Sequence, residues 1–430
     1  MSSNVLAPGV APREVWSWAM YDFANSGYTT VVITAVFNAY FVSVVAGNAP
    51  WATFAWTLAL GISYGLIVLT APMVGAYADA WAAKKKLLLI TTMGCVVFTA
   101  GLIFAGPGSL ILSVVLIVIS NFFYGTGENL VAAFLPELAK PKAIGKVSAW
   151  GWSLGYLGGL VSLAVCLAYI AWAEGRGQAA TEYVPVTMVI TAVLFGLASL
   201  PTFLFLRDRA VPQPHLQNIG TAREAFARLA QTLGHARQYQ DLFRFLVCTL
   251  FYQAGIQAVI ALAAIYAQQA MGFSMQQTVS LIFVVNISAA VGAFLFGHVQ
   301  DRIGHVATVA ITLCGWIVMV LLAYFAQGAA MFWVAANLAG VCMGSSQSAG
   351  RALVGLLSPT ARRAEFFGLW GFAVKLSSIF GPITYGVATW VTHGNHRLGM
   401  LIVGSYFVIG LAILGGVRMK RGRRAALRAG

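Results

Sequence analysis

Apolar residues run through this chain in long blocks separated by short polar stretches. Spanning a bilayer as a helix takes roughly 20 apolar residues. Twelve blocks reach that length: 16–45, 52–79, 87–106, 109–138, 147–173, 184–206, 242–270, 276–300, 306–327, 329–357, 365–391 and 398–417. Polar positions inside the blocks are few, so their spacing is informative. The first block is the richest. In EVWSWAMYDFANSGYTTVVITAVFNAYFVSVV (14–45), Asp22, Asn25, Ser26, Thr29, Thr30, Thr34 and Asn38 fall at helical steps of three or four, which places them on one side of a helix. A charge in hydrocarbon costs at least ~3 kcal/mol, so this seam is expected to face protein or a water-filled path. The alternative is a seam that only joins two helices. Asp22 weighs against it, because Ser and Thr would serve that purpose at lower cost.

Composition agrees with the pattern. The chain is 60% hydrophobic and 9% charged, with mean hydropathy +0.81. Soluble domains carry roughly 25% charged residues. A polytopic membrane protein follows, with little room for a soluble domain. The net charge of +14 does not indicate nucleic acid, because of where the cations lie. With the N-terminus in the cytoplasm, all but four of the 26 Lys and Arg fall on cytoplasmic segments or helix ends; the exceptions are Arg176, Arg397, Arg351 and Lys375. This asymmetry predicts that both termini are cytoplasmic. MSSNVLAPGVAPREVW lacks a basic region ahead of a short apolar core, so no cleaved signal is expected. The five cysteines lie within apolar blocks without CxxC spacing, which predicts packing roles and no disulfide, metal or cofactor site.

The longest loop, 207–241, divides the chain into an N-terminal six-helix half (1–206) and a C-terminal half (242–430) ending in a basic tail. Two prolines in RDRAVPQPH argue against helix at its start. TAREAFARLAQTLGHARQYQ then places Phe226, Leu229 and Leu233 on one face, as in an interfacial amphipathic helix on an anionic leaflet. An internal repeat is also present. GAYADAWAAKKK, from Gly75 through Asp79, and GHVQDRIGH, from Gly297 through Asp301, occupy the same place in each half. Gly followed four residues later by Asp, twice at six-helix separation, resembles the loop motif of the major facilitator superfamily. The second copy retains Arg302 and Gly304; the first has Ala80 and Ala82 there, which predicts a weaker gating latch.

WAMYDFANS (Trp18 to Ser26), FLPEL (Phe134 to Leu138), GYLGG (Gly155 to Gly159) and EFFG (Glu365 to Gly368) resemble, as a set, the vacuole-effluxer branch of that superfamily, which includes fungal vacuolar amino-acid exporters. Two stretches depart from the branch. Gly350, Arg351 and Ala352 stand where Ser-Arg-Ser is frequent, and Val131, Ala132 and Ala133 where Tyr-Asn-Ala is frequent. The resemblance implies an all-α membrane protein with twelve transmembrane helices in two pseudo-symmetric six-helix halves. It also implies that spans one, four, seven and ten line a central cavity, with Asp22 and Glu128 opposite Arg351 and with Lys375 beside it.

Each of these four charges has a plain reading as well: Arg351 and Lys375 as snorkelling cations, Glu128 as a packing group, Asp22 as a structural pair. Together they match a zwitterion, the acids taking an ammonium and Arg351 a carboxylate; they also suit an interdomain gate. Tyr124, Gln253, Gln257 and Gln347 extend the polar set, with Ser345, Ser346 and Ser348 beside Arg351. No G-x-x-x-x-G-K-[ST] is present, so energy must come from a gradient, with H+ as a candidate coupling ion. GWSLG at Gly151 to Gly155 has the spacing of a hydrolase elbow, but inside a helical block it cannot make a strand-to-helix turn, so no catalytic residue is assigned. The expected function is a secondary transporter in a bacterial inner membrane that exports amino acids or similar zwitterions, as a monomer among membrane lipids. The alternatives are a proton-coupled exporter of amphipathic compounds and a transporter-like sensor.

Overall fold

The computed structural model describes residues 5–140, 144–209, 233–234, 236–359 and 363–428. The amphipathic stretch expected around Phe226 to Leu233 lies almost entirely outside them. Among the described residues there are twelve long helices: α1 (Pro12–Val45), α2 (Ala52–Ala80), α3 (Lys84–Gly101), α4 (Leu110–Ala132), α5 (Ile144–Glu174), α6 (Ala180–Phe205), α7 (Gln240–Met271), α8 (Met275–Ile303), α9 (His305–Phe325), α10 (Ala329–Leu357), α11 (Arg363–Val391) and α12 (His396–Leu414). A shorter helix, α13 (Met419–Arg428), comes after them. Among the described residues, eleven of the twelve carry a stretch long and apolar enough to cross a membrane by length and composition alone, all but α11. Large apolar side chains such as Leu69, Ile111, Leu204 and Val334 are exposed along the helices, as a lipid-facing surface requires. The chain is an integral membrane protein that crosses the bilayer many times.

Contacts divide it into two compact units, one of residues 1–49 and 62–224, the other of residues 50–61 and 225–430. The first turns of α2 group with the second unit through packing: Phe54 stacks on Trp390 at 5.0 Å, and Gly61 meets Ile383.

Two local features depart from the expected pattern. α1 is not a uniform α-helix. Thr29–Ala35 and Phe41–Val45 are π-helical, and Val36 N donates to Val31 O (3.0 Å) and Ala46 N to Phe41 O (2.8 Å), five residues back. Extra residues per turn rotate everything beyond Tyr28 relative to an ideal α-helix, and such insertions concentrate at functional sites. The fourth span stops at Ala132 rather than running to 138. Pro136 has no N–H to donate to the carbonyl four residues back, so the ladder breaks and Leu135–Leu138 forms a separate turn with the proline near its start.

The two repeated loops both carry a positive φ three residues after the Asp, but on different residues and in connections of different length. Gly304 alone joins α8 to α9 at φ +91°, a conformation only glycine takes without strain. At the matching place after α2 stands Ala82, with φ +49°. The first turn therefore keeps a left-handed residue without the glycine that would relieve it.

Candidate functional site

In the first unit, the polar face of α1 divides. Asp22, Ser26 and Thr30 lie against a row of glycines on α5: a Cβ on Gly151 would collide with the Asp22 carboxylate, one on Gly155 would stand 2.9 Å from Ser26 Oγ, and one on Gly159 2.8 Å from Thr30 Oγ1. Glycine at every helical step lets the two helices approach closely enough to bury these polar groups. This is the physical reason for GYLGG. Thr29 lies toward α4 instead. The Thr29 hydroxyl is 2.8 Å from the Tyr124 hydroxyl and 3.1 Å from the Asn25 carbonyl oxygen. Tyr124 stacks on Tyr28 at 4.7 Å, and Tyr28 shares a hydrogen bond with Ser120. Asn25 is 5% exposed, and neither its side-chain oxygen nor its nitrogen has a hydrogen-bond partner among the described residues. A buried polar group left so costs about 1–3 kcal/mol. Glu128 is half-buried on α4, one turn beyond Tyr124.

In the second unit, Gln253 of α7 and Gln347 of α10 exchange two amide hydrogen bonds of 3.2 and 3.3 Å. Arg351 is one turn further along α10, half-buried, with its guanidinium carbon 5.5 Å from the centre of the Trp370 ring. Lys375 on α11 and Gln257 on α7 are also half-buried. Ser345 and Ser346 do not join the set, because their hydroxyls donate to Val341 O and Cys342 O in their own helix.

The two units repeat one crossing. The Tyr21 hydroxyl of α1 sits where a Cβ on Gly127 of α4 would be, 2.7 Å away, and the next residue is Glu128. The Tyr252 hydroxyl of α7 sits where a Cβ on Gly350 of α10 would be, 2.6 Å away, and the next residue is Arg351. A second pair of contacts has the same chain separations: Gly158 of α5 against the Phe23 backbone, and Gly381 of α11 against the Ala254 backbone. The four contacts share one register, so Glu128 and Arg351 occupy equivalent places in their units. In the same register Gln253 stands where Asp22 does, and Gln347 where Tyr124 does.

A second repeated device escaped the sequence reading. Glu14, in the first turn of α1 and 3% exposed, receives both Nη groups of Arg209, just past α6, at 2.8 and 2.9 Å. Asp241, in the first turn of α7 and 3% exposed, receives Nε and Nη2 of Arg421, just past α12, at 2.7 and 2.8 Å. Bidentate charge-assisted pairs of this kind are the strong ones. Each joins the first helix of its unit to the segment after the sixth. The Glu14 carboxylate holds the Arg209 pKa above its ordinary value. Nothing in the spacing announces a partner nearly 200 positions away. Glu137 of FLPEL adds a tie in the first unit, bonding Lys84 Nζ at 2.8 Å.

The repeated loops end α2 and α8, with Gly75 and Asp79 in the last turns of one and Gly297, Asp301 and Arg302 in those of the other. The side chains of Asp79, Asp301 and Arg302 lie outside the described positions. Among the described residues no group of His, Cys, Asp and Glu could hold a metal ion.

Helices of this number and arrangement are those of the major facilitator transporters. The fold superimposes on the nucleoside transporter NupG with a TM-score of 0.69, at 14% identity, over 95% of this chain and 99% of that one. Residues 40–427 match the family described as "Vacuole effluxer Atg22 like", and the chain belongs to that family. It is 28% identical to the uncharacterised MFS-type transporter YxiO of Bacillus subtilis (strain 168) over 93% of each chain. It is 23% identical to autophagy-related protein 22 of Cryptococcus neoformans over 66% of this chain, and spans about half (54%) of the fungal protein's length. With an effluxer family and an MFS-type transporter among its matches, this chain is a membrane transporter of the major facilitator class rather than an enzyme.

Proposed function

We propose that this chain is a secondary active transporter that exports amino acids or similar small zwitterions by alternating access. The observation that carries the reading is the equivalence of Glu128 and Arg351, a half-buried acid and a half-buried base set in place by the same tyrosine–glycine crossing. In this proposal Asp22 and Glu128 take the substrate ammonium and Arg351 its carboxylate, with Lys375 in support. Asn25 strengthens the reading, because a substrate supplies the donor and acceptor that its buried amide lacks. Thr29 with Tyr124, and Gln253 with Gln347 and Gln257, supply neutral hydrogen-bonding groups around the charges. The family description supports efflux.

Proton coupling follows from the same acids. In this proposal Asp22 and Glu128 are the groups that would carry H+ as the coupling ion. Asp79 and Asp301, at the ends of α2 and α8, are proposed to latch the gate, the second more firmly because Arg302 and Gly304 accompany it. The bacterial relative and the distribution of Lys and Arg support a bacterial inner membrane with both termini cytoplasmic, and the protein is taken to act as a monomer.

Binding to the purified protein tests the substrate class. In a thermal-shift panel of amino acids, peptides and amphipathic drugs, amino acids should stabilise the protein, and their methyl esters should do so much less. Stabilisation by drugs alone, or by acid and ester equally, rules the zwitterion out.

A further inference from the structure

The C-terminal helix α13 is fixed at the level where the spans end. Asp241, which receives Arg421 and the Arg418 backbone N–H at 2.8 Å, is the second residue of α7. Leu357, the last residue of α10, meets Gly422, and α12 ends at Leu414, just ahead of α13. One face of α13 is thereby docked, with Gly422 and Ala426 buried. The side chains beside it are cationic. Arg418, Lys420, Arg421 and Arg424 line one groove of about 660 Å³ with Met419 and Ala425. Asp241 answers Arg421; among the described residues no carboxylate pairs with Arg418, Lys420 or Arg424. Three cations lining one groove repel one another, and Arg418 and Lys420, before and in the first turn, are set against the helix dipole as well. What completes the groove is an anion with several acceptor oxygens.

We propose that this groove binds the phosphodiester headgroup of an anionic membrane lipid, which thereby holds α13 against the ends of α7 and α10. The level of α13 favours a lipid over a dissolved anion. α13 rests on the ends of α7 and α10, and the headgroups of the adjoining leaflet lie at that depth. Exposed Leu427, on the last turn, adds an apolar contact of the kind interfacial helices make with acyl chains.

The test uses the full chain purified in detergent and titrated with short-chain phosphatidylglycerol, phosphatidylcholine or inorganic phosphate, reading the thermal midpoint and the lipid retained in native mass spectra. Phosphatidylglycerol should raise the midpoint; the other two should not. The triple variant Arg418→Gln, Lys420→Gln, Arg424→Gln should bind it roughly a hundredfold more weakly, at about fivefold per cation near an anionic surface. Arg423→Gln, on the same helix outside the groove, should change binding less than twofold. The proposal is overturned if phosphatidylcholine matches phosphatidylglycerol, if free phosphate reproduces the shift, or if the triple variant binds as the parent does. Loss at Arg423 equal to that at the groove overturns it too. Should the triple variant not fold, each single variant should still lose about fivefold, and no loss in any of them is equally decisive.

Discussion

The first and second units use the same scaffold to hold opposite chemistry. In each, the first helix sends a tyrosine hydroxyl to a glycine on the fourth, and the residue after that glycine is charged: Glu128 in one unit, Arg351 in the other. In each, a glycine of the fifth helix meets the backbone of the first, and a buried acid at the start of the first helix grips an arginine beyond the sixth. The supporting groups differ. Tyr21 shares a 2.8 Å hydrogen bond with Thr92, whereas the Tyr252 hydroxyl has no hydrogen-bond partner among the described residues. Asp22 is packed among glycines, while its counterpart Gln253 is held by an amide pair. The difference teaches that backbone approach is what the fold requires of both units, and that the side chains carried on it are free to diverge.

The most damaging way to break the comparison is at the helix contact itself. Gly158→Ala places a Cβ 2.6 Å from the Phe23 Cα, and Gly381→Ala places one 3.0 Å from the Ala254 Cα. Backbone cannot yield as a side-chain tip can, so each change should cost about 3 kcal/mol, seen as loss of the monodisperse peak in fluorescence size-exclusion chromatography. Tolerance of one but not the other would show that the two contacts are not equivalent.

Arg351→Lys comes next. A guanidinium gives a carboxylate two parallel donors and an ammonium acts as a point charge, so affinity for an amino acid should fall by roughly one to two decades. The parent should discriminate strongly between an amino acid and its methyl ester, and Arg351→Lys much less. Equal discrimination by both proteins would mean that Arg351 does not read the carboxylate.

The tyrosine crossing sharpens the comparison at smaller scale. Gly127→Ala and Gly350→Ala should each destabilise by about 1–3 kcal/mol through overpacking against the hydroxyl. Tyr252→Phe should rescue Gly350→Ala nearly completely, because it removes the obstruction and gives up no hydrogen bond. Tyr21→Phe should rescue Gly127→Ala less well, since it also loses the Thr92 bond, worth about 1 kcal/mol. Thermal midpoints of the two double variants decide it, and equal rescue would sink the asymmetry.

At the loops the two substitutions should act in opposite directions, and Ala82→Gly should have the smallest effect of all. Gly304→Ala should cost about 1–3 kcal/mol because of its φ of +91°. Ala82→Gly should instead stabilise by no more than about 1 kcal/mol, relieving a left-handed alanine. A midpoint lowered by Ala82→Gly would mean that the first turn owes its shape to something other than strain tolerated at Ala82.

Much of the architecture was legible in the chain. Twelve apolar blocks give twelve helices because hydrocarbon forces every backbone group to bond within its own segment, leaving helix as the only economical form. The paired loops were visible as Gly75 with Asp79 and Gly297 with Asp301, and the intramembrane charges as Asp22, Glu128, Arg351 and Lys375. The shared register of Tyr21 with Gly127 and of Tyr252 with Gly350 was also present in the letters, as Tyr-Asp with Gly-Glu and Tyr-Gln with Gly-Arg. It lacked a meaning until the hydroxyls were seen against the glycines.

Tertiary structure alone decided how the polar residues of α1 divide. A uniform helical spacing puts Asp22, Asn25, Ser26 and Thr29 on one face, but close packing with Gly151, Gly155 and Gly159 draws off one subset, and the π-helical turns from Thr29 onward shift the phase of the later positions. Helical periodicity records angle about one axis, and the neighbour that fills each angle belongs to another part of the chain. The same reason hides the pairs of Glu14 with Arg209 and Asp241 with Arg421. Charge and helix position can be read locally, whereas a bidentate bond exists only once folding has brought its two ends together.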